Sequence, residues 1–149
     1  MSDALIRNRF LLHICIPLFL GAIVYVMCST GSHISNFVQD YVTIPRVSLE
    51  SIPVWLSRFI RFYLADIAWA YALTFAIGSA FWKDRGGMIV VAVICIIFEI
   101  LVELFQKANV IPGTYDLRDI ELEVLASVVA ITIMIKKRRM YHEKSNETN

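Results

Sequence analysis

The chain has 149 residues, of which 58% are apolar, 12% aromatic and only 18% charged. A water-soluble domain of this size carries about 25% charged and 45–50% apolar residues, so the composition points to an integral membrane protein with room for one compact bundle. Lys and Arg outnumber Asp and Glu by 14 to 13, and a net charge of +1 offers no basic surface to a nucleic acid.

The first apolar stretch, 10–28, is FLLHICIPLFLGAIVYVMC, with Arg7 and Arg9 just before it. It is long enough to cross the hydrocarbon core, longer than the 7–15 apolar residues of a signal peptide, and followed by no small-x-small cleavage site. A retained helix is expected. Residues 29–58 form the one long connection, with Gly31, Pro45, Pro53 and the polar run GSHISNFVQD. Its second half, VSLESIPVWLSRFIR, has roughly helical apolar spacing and is expected to lie along the membrane interface, where Trp55 suits the headgroup region and Arg58 and Arg61 can reach water.

A second span is expected over 59–82, with Asp66 near its start. KDRGG then makes a polar turn, and a third span follows over 88–105, carrying Glu99 and Glu103. The last apolar run, 124–135, is short. A helix there must begin near Leu117, taking in Asp119, Glu121 and Glu123, to reach about 28 Å. KKRR at 136–139 is expected to end it and to open a polar, disordered tail over 140–149. The expectation is an all-α, four-helix integral membrane domain over 1–139, with an interfacial segment before the second span.

Four spans put both termini on one side. That side holds nine Lys and Arg against five on the other, which places the termini in the cytoplasm of a bacterial inner membrane. Asn146-Glu147-Thr148 is then a chance sequon. Cys15, Cys28 and Cys95 have no pairing or ligand spacing and read as packing residues. His13, close to Pro17, reads as a core histidine, and neither His33 nor His142 has a partner at metal spacing. No Gly-rich phosphate loop, GxSxG or Cys/His pair is present, so no catalytic residue is assigned.

Ionisable residues inside spans are the informative ones, because each costs about 2.5–3.5 kcal/mol at mid-helix. Asp66, Glu99, Glu103, Asp116, Asp119, Glu121 and Glu123 all fall toward the extracytoplasmic end. Glu99, Glu103 and Gln106 share one face of the third span, and Asp116, Asp119 and Glu123 share one at the start of the fourth. Tyr63, Asp66, Ala70 and Thr74 make a stripe on the second. Three helices can thus aim acids at one pocket. For Asp116, Glu121 and Glu123, helix capping and pairing with Arg58, Arg61, Lys107 or Arg118 is the simpler reading. Asp66, Glu99 and Glu103 lie deeper and read as a site.

Glu103-x-x-Gln106, then Pro112-Gly113, then Asp119 at the start of the last helix resemble the E-x-x-Q, P-G-R and D-x-x-x-N elements of VanZ-like membrane proteins. Asp66 to Leu73, D-I-A-W-A-Y-A-L, resembles the D-x-x-W-A-Y-x-L segment of small four-helix relatives, and G-T-Y-D-L-R-D at 113–119 resembles their G-T-F-D-x-x-D. The resemblance covers about 59–130 and departs at Thr114, Glu123 and Ala126, where the family has Arg, Asn and Gly, so it describes a distant member or sister group. It implies a four-helix envelope protein whose namesake is linked to glycopeptide antibiotic resistance, with Asp66, Glu103, Gln106, Asp116 and Asp119 at the motif positions. It implies no reaction.

The favoured expectation is therefore an outward-facing acidic pocket of Asp66, Glu99, Glu103, Gln106, Asp116 and Asp119 that engages a membrane lipid or lipid-linked envelope precursor. A divalent cation is a chemically suitable companion. A proton- or cation-coupled transporter, acting as a homodimer because four helices barely enclose a path, and a non-enzymatic accessory subunit are the alternatives.

Overall fold

The computed structural model describes residues 3–28, 41 and 47–147, and the side chains within these except those of 3–10, 142 and 144–147. The polar run 31–40, His33 and most of the long connection lie outside the described residues. Among the described residues the chain is all-helical: α1 (Asp3–Cys28), α2 (Val54–Phe62), α3 (Leu64–Ala80), α4 (Arg85–Lys107) and α5 (Leu117–Glu147).

α3 is the central helix and packs against all four others, while α5 also packs on α4, and α1 on α2. The core joins Phe75 of α3, Met88 and Ala92 of α4, and Ala130, Ile131 and Met134 of α5. Gly78 makes the α3–α5 crossing close, since a Cβ there would overlap the Met134 side chain.

α4 shows which solvent the bundle suits. Its buried face is Met88, Val91, Ala92, Cys95, Glu99 and Glu103, whereas Val90, Ile94, Ile97, Phe98 and Phe105 on the other face are exposed. The outward face is more apolar than the inward one, the reverse of a helix in water. α1 and α4 are long and apolar enough to cross a membrane, and α2 with α3 make a third span if the pair, bent by 42°, is counted as one. α5 does not qualify on the same terms, because acids occupy its first two turns and its apolar run is short.

Local chemistry sets the breaks. Pro53 precedes α2, and Tyr63 (φ −114°, ψ −30°) separates α2 from α3. Asp84 caps α4 by accepting from the Gly86 amide at 2.9 Å. α4 ends in a Schellman motif, Val110 N–H to Phe105 O and Asn109 N–H to Gln106 O, both 2.9 Å, with Asn109 at φ 56°.

One expectation is corrected. α5 does not stop at KKRR but continues through Lys136–Arg139 as helix to Glu147, so the tail from 140 is not disordered up to that residue. Charge ends a membrane crossing without ending a helix. Lys, Arg, Met and Glu are good helix formers, and Arg139 pairs with Glu143 one turn on at 2.9 Å.

Candidate functional site

At the end of the bundle where α4 finishes and α5 begins, α2, α3, α4 and α5 enclose an open cleft of about 1380 Å³. Asp66, Glu103, Gln106, Asp116, Asp119 and Glu123 all line it. Asp66, one turn into α3, sits on the central helix. Glu103 lies on the inward face of α4 at 4% exposure, and Asp119 and Glu123 come from the first two turns of α5. Their charges are close enough to bear on one another.

Part of this set is scaffold. Asp116 caps α5, its Oδ1 accepting from the Arg118 amide at 2.9 Å. Its Oδ2 accepts from the Tyr63 hydroxyl at 3.1 Å, and its own amide donates to Glu103 Oε2 at 3.2 Å. With its amide nitrogen turned toward Glu103, the orientation its neighbours favour, Gln106 donates to Glu103 Oε1 and to the Thr114 carbonyl, each at 3.2 Å. Gly113 permits this, since it adopts φ 143° and a Cβ there would lie 2.5 Å from the Gln106 carboxamide carbon. These contacts tie the 108–116 loop and the starts of α3 and α5 to the end of α4.

Asp66, Asp119 and Glu123 behave differently. Among the described residues, none donates a hydrogen bond to their side chains, no Arg or Lys lies within 4 Å of them, and Asp119 Oδ1 is buried without a partner. The expected pairing of Glu123 with an arginine is not found. Glu121 is exposed. Arg58 and Arg118 reach the same cleft without an ion pair among the described residues, and the Nε of Arg61 is buried with no partner among them. Trp55, Phe59 and Phe62 of α2 supply an aromatic wall.

Glu99 is not in the cleft. It lies one turn below Glu103, 5% exposed, and its Oε1 accepts from the Ser127 hydroxyl at 2.8 Å. Ser127 lies 2.7 Å from the Thr74 hydroxyl, and because its proton is directed to Glu99, Thr74 is the donor of that bond. Glu99 Oε2 has no partner. Glu99 thus joins α3, α4 and α5 beneath the cleft rather than lining it.

Glu123, which shares a helix face with Asp116 and Asp119 but reads more simply from sequence as a structural acid, lines the cleft. One feature escaped sequence reasoning. His13 stacks on Phe75 with ring centroids 4.6 Å apart. Lys137 donates to its Nε2, so Nδ1 carries the proton and donates to the Tyr71 hydroxyl at 2.7 Å. A core histidine was expected, but its link to the basic run was not.

Among the described residues, no three His, Cys, Asp or Glu side chains are placed to hold a metal ion. The carboxylates of the cleft are suited to receiving hydrogen-bond donors and positive charge. Against known protein families, curated proteins and solved structures, the chain shows no match. What the fold and site define is a small helical protein with two or three helices able to cross a membrane and an acidic, aromatic-walled cleft at one end of its bundle.

Proposed function

We propose that this is a multi-pass protein of the bacterial cytoplasmic membrane, with both termini in the cytoplasm, whose outward-facing cleft engages a membrane lipid or lipid-linked envelope precursor by its headgroup. In this reading α5 is the fourth span, and the chain is a sister of the VanZ-like proteins. One observation carries it: Asp66, Asp119 and Glu123 line one cleft without a hydrogen bond or a cation from any described residue. Carboxylates that serve as scaffold are bonded, as Asp116 and Glu103 are, and buried ones left unbonded are costly. Their position beneath α2 suits entry from the bilayer, because Trp55 and Phe62 of that helix are 70% and 63% exposed.

The test is a set of near-isosteric changes, Asp66→Asn, Asp119→Asn and Glu123→Gln, read by thermal melting in detergent and by complementation of a deletion strain under envelope stress. For a binding cleft, function falls while melting is unchanged or rises, since mutually repelling acids are removed. If all three variants melt earlier and function falls only with the amount of folded protein, the acids are scaffold and the reading fails.

A further inference from the structure

The cleft carries both signs of charge, arranged by depth. Arg58, on α2, and Arg118, in the first turn of α5, are exposed at its rim. Glu103 is buried, and Asp66, Asp119 and Glu123 are half-buried beneath them. Neither arginine comes within 4 Å of a carboxylate among the described residues, although several share the cavity. Opposite charges in one partly dry cleft attract strongly, so a fold that holds them apart leaves each set to be satisfied by something else.

An anion alone would meet the arginines and leave the acids facing it, while a simple cation would satisfy the acids and leave the rim unpaired. We infer that the cleft binds a headgroup carrying both a phosphate, held by Arg58 and Arg118, and a primary ammonium, held by Asp66, Asp119 and Glu123. This rests on the reading of the cleft as a headgroup site. Arginine matches phosphate with its planar fork of donors. A primary ammonium brings N–H donors to this unbonded acidic floor, whereas a quaternary ammonium brings none. The order also fits an aminophospholipid, whose ammonium lies farthest from its acyl chains: ammonium to the floor, phosphate to the rim, chains leaving past Trp55, Phe59 and Phe62 of α2.

The experiment is native mass spectrometry of the full chain released from nanodiscs of phosphatidylethanolamine, phosphatidylcholine and phosphatidylglycerol in equal parts. Phosphatidylethanolamine should be retained about tenfold over each of the others, the worth of one charge-assisted hydrogen bond. Asp66→Asn with Asp119→Asn should remove the preference over phosphatidylcholine. Arg58→Gln with Arg118→Gln should reduce retention of all three. Equal retention of the three lipids by the unaltered protein overturns the two-charge headgroup, and it needs no variant to fold. If those lipids are nevertheless lost together from Glu123→Gln, the broader headgroup reading stands; if no lipid is retained beyond what a single-span control helix holds, that reading fails too. Soluble O-phosphoethanolamine displacing the lipid at equal concentration supports the headgroup chemistry and overturns the bilayer as its source.

Discussion

Replacing Ser127 with Ala removes one oxygen from the centre of the bundle and separates structural from incidental polarity there. Ser127 is fully buried, donates to Glu99 Oε1 at 2.8 Å and lies 2.7 Å from the Thr74 hydroxyl. The volume change is small, so cavity formation contributes little. Two interhelical hydrogen bonds are lost, worth about 0.6 kcal/mol each in a membrane bundle. A larger loss follows because Glu99, whose Oε2 already has no partner, is left with neither oxygen bonded, at a further cost of about 1–3 kcal/mol. The total, about 2–4 kcal/mol, lowers the folded-to-unfolded ratio by a factor of about 30 or more. Thr74→Val loses one bond and should cost about 0.6 kcal/mol. Glu99→Gln should be close to neutral, because the amide oxygen still accepts from Ser127 and a buried charge is removed. In a Glu99→Gln background, Ser127→Ala should cost only about 1 kcal/mol. Reversible unfolding in mixed micelles measures all four. A Ser127→Ala cost below about 0.5 kcal/mol, or a Glu99→Gln cost equal to it, refutes the reasoning.

Gly113→Ala should destabilise by about 1–3 kcal/mol, since it strains a φ of 143° and drives a methyl into the Gln106 amide. Gly86→Ala, with ordinary contact only to Asp84, should stay within about 0.5 kcal/mol; equal melting losses would show that the loop is not held as described. With Cys15, Cys28 and Cys95 replaced, Val110→Cys, 67% exposed in the native protein, should react in whole cells with an impermeant thiol reagent while Met140→Cys should not. Labelling at 140 alone inverts the proposed orientation. Glu143→Ala should change melting hardly at all, because the pair with Arg139 is exposed and worth about 0.3–0.5 kcal/mol. A loss above about 1 kcal/mol would mean that the end of α5 packs on something more.

The helical class and the inward face of α4 are legible in the sequence because each follows from a period. Glu99 and Glu103 recur at one-turn spacing with Met88, Ala92 and Cys95, and apolar residues fill the intervening positions. The same period could not separate Glu99 from Glu103. What distinguishes them is Ser127, 28 residues away, and the Asp116 amide in a loop, contacts that depend on how helices meet. For Glu123 the period gave its face, shared with Asp119, but not whether a cation meets it there, which again depends on how helices meet. The end of α5 was missed because hydropathy reports where lipid stops, and the backbone's hydrogen bonds do not depend on that boundary. Arg58 joins the cleft only because α2 is tilted from α3 by 42° at Tyr63, an angle no local pattern encodes.

α5 has 31 residues and contains neither Gly nor Pro. The Thr132 hydroxyl donates back to the Val128 carbonyl at 2.7 Å, which bends a helix slightly without breaking it, so at 1.5 Å per residue α5 is one continuous helix about 46 Å long. Its first turn carries Asp119, at the cleft, and its far end carries the basic run whose Arg138 donates to the Lys83 carbonyl in the α3–α4 turn. Because one continuous helix carries both, a tilt of α5 on its packing of Met134 and Ala130 against Gly78 and Phe75 would move both ends together. A tilt of about 5° displaces the two ends relative to each other by about 4 Å. Any such tilt at the carboxylates would reach the opposite end of the protein mechanically, with no chain of residues needed to relay it.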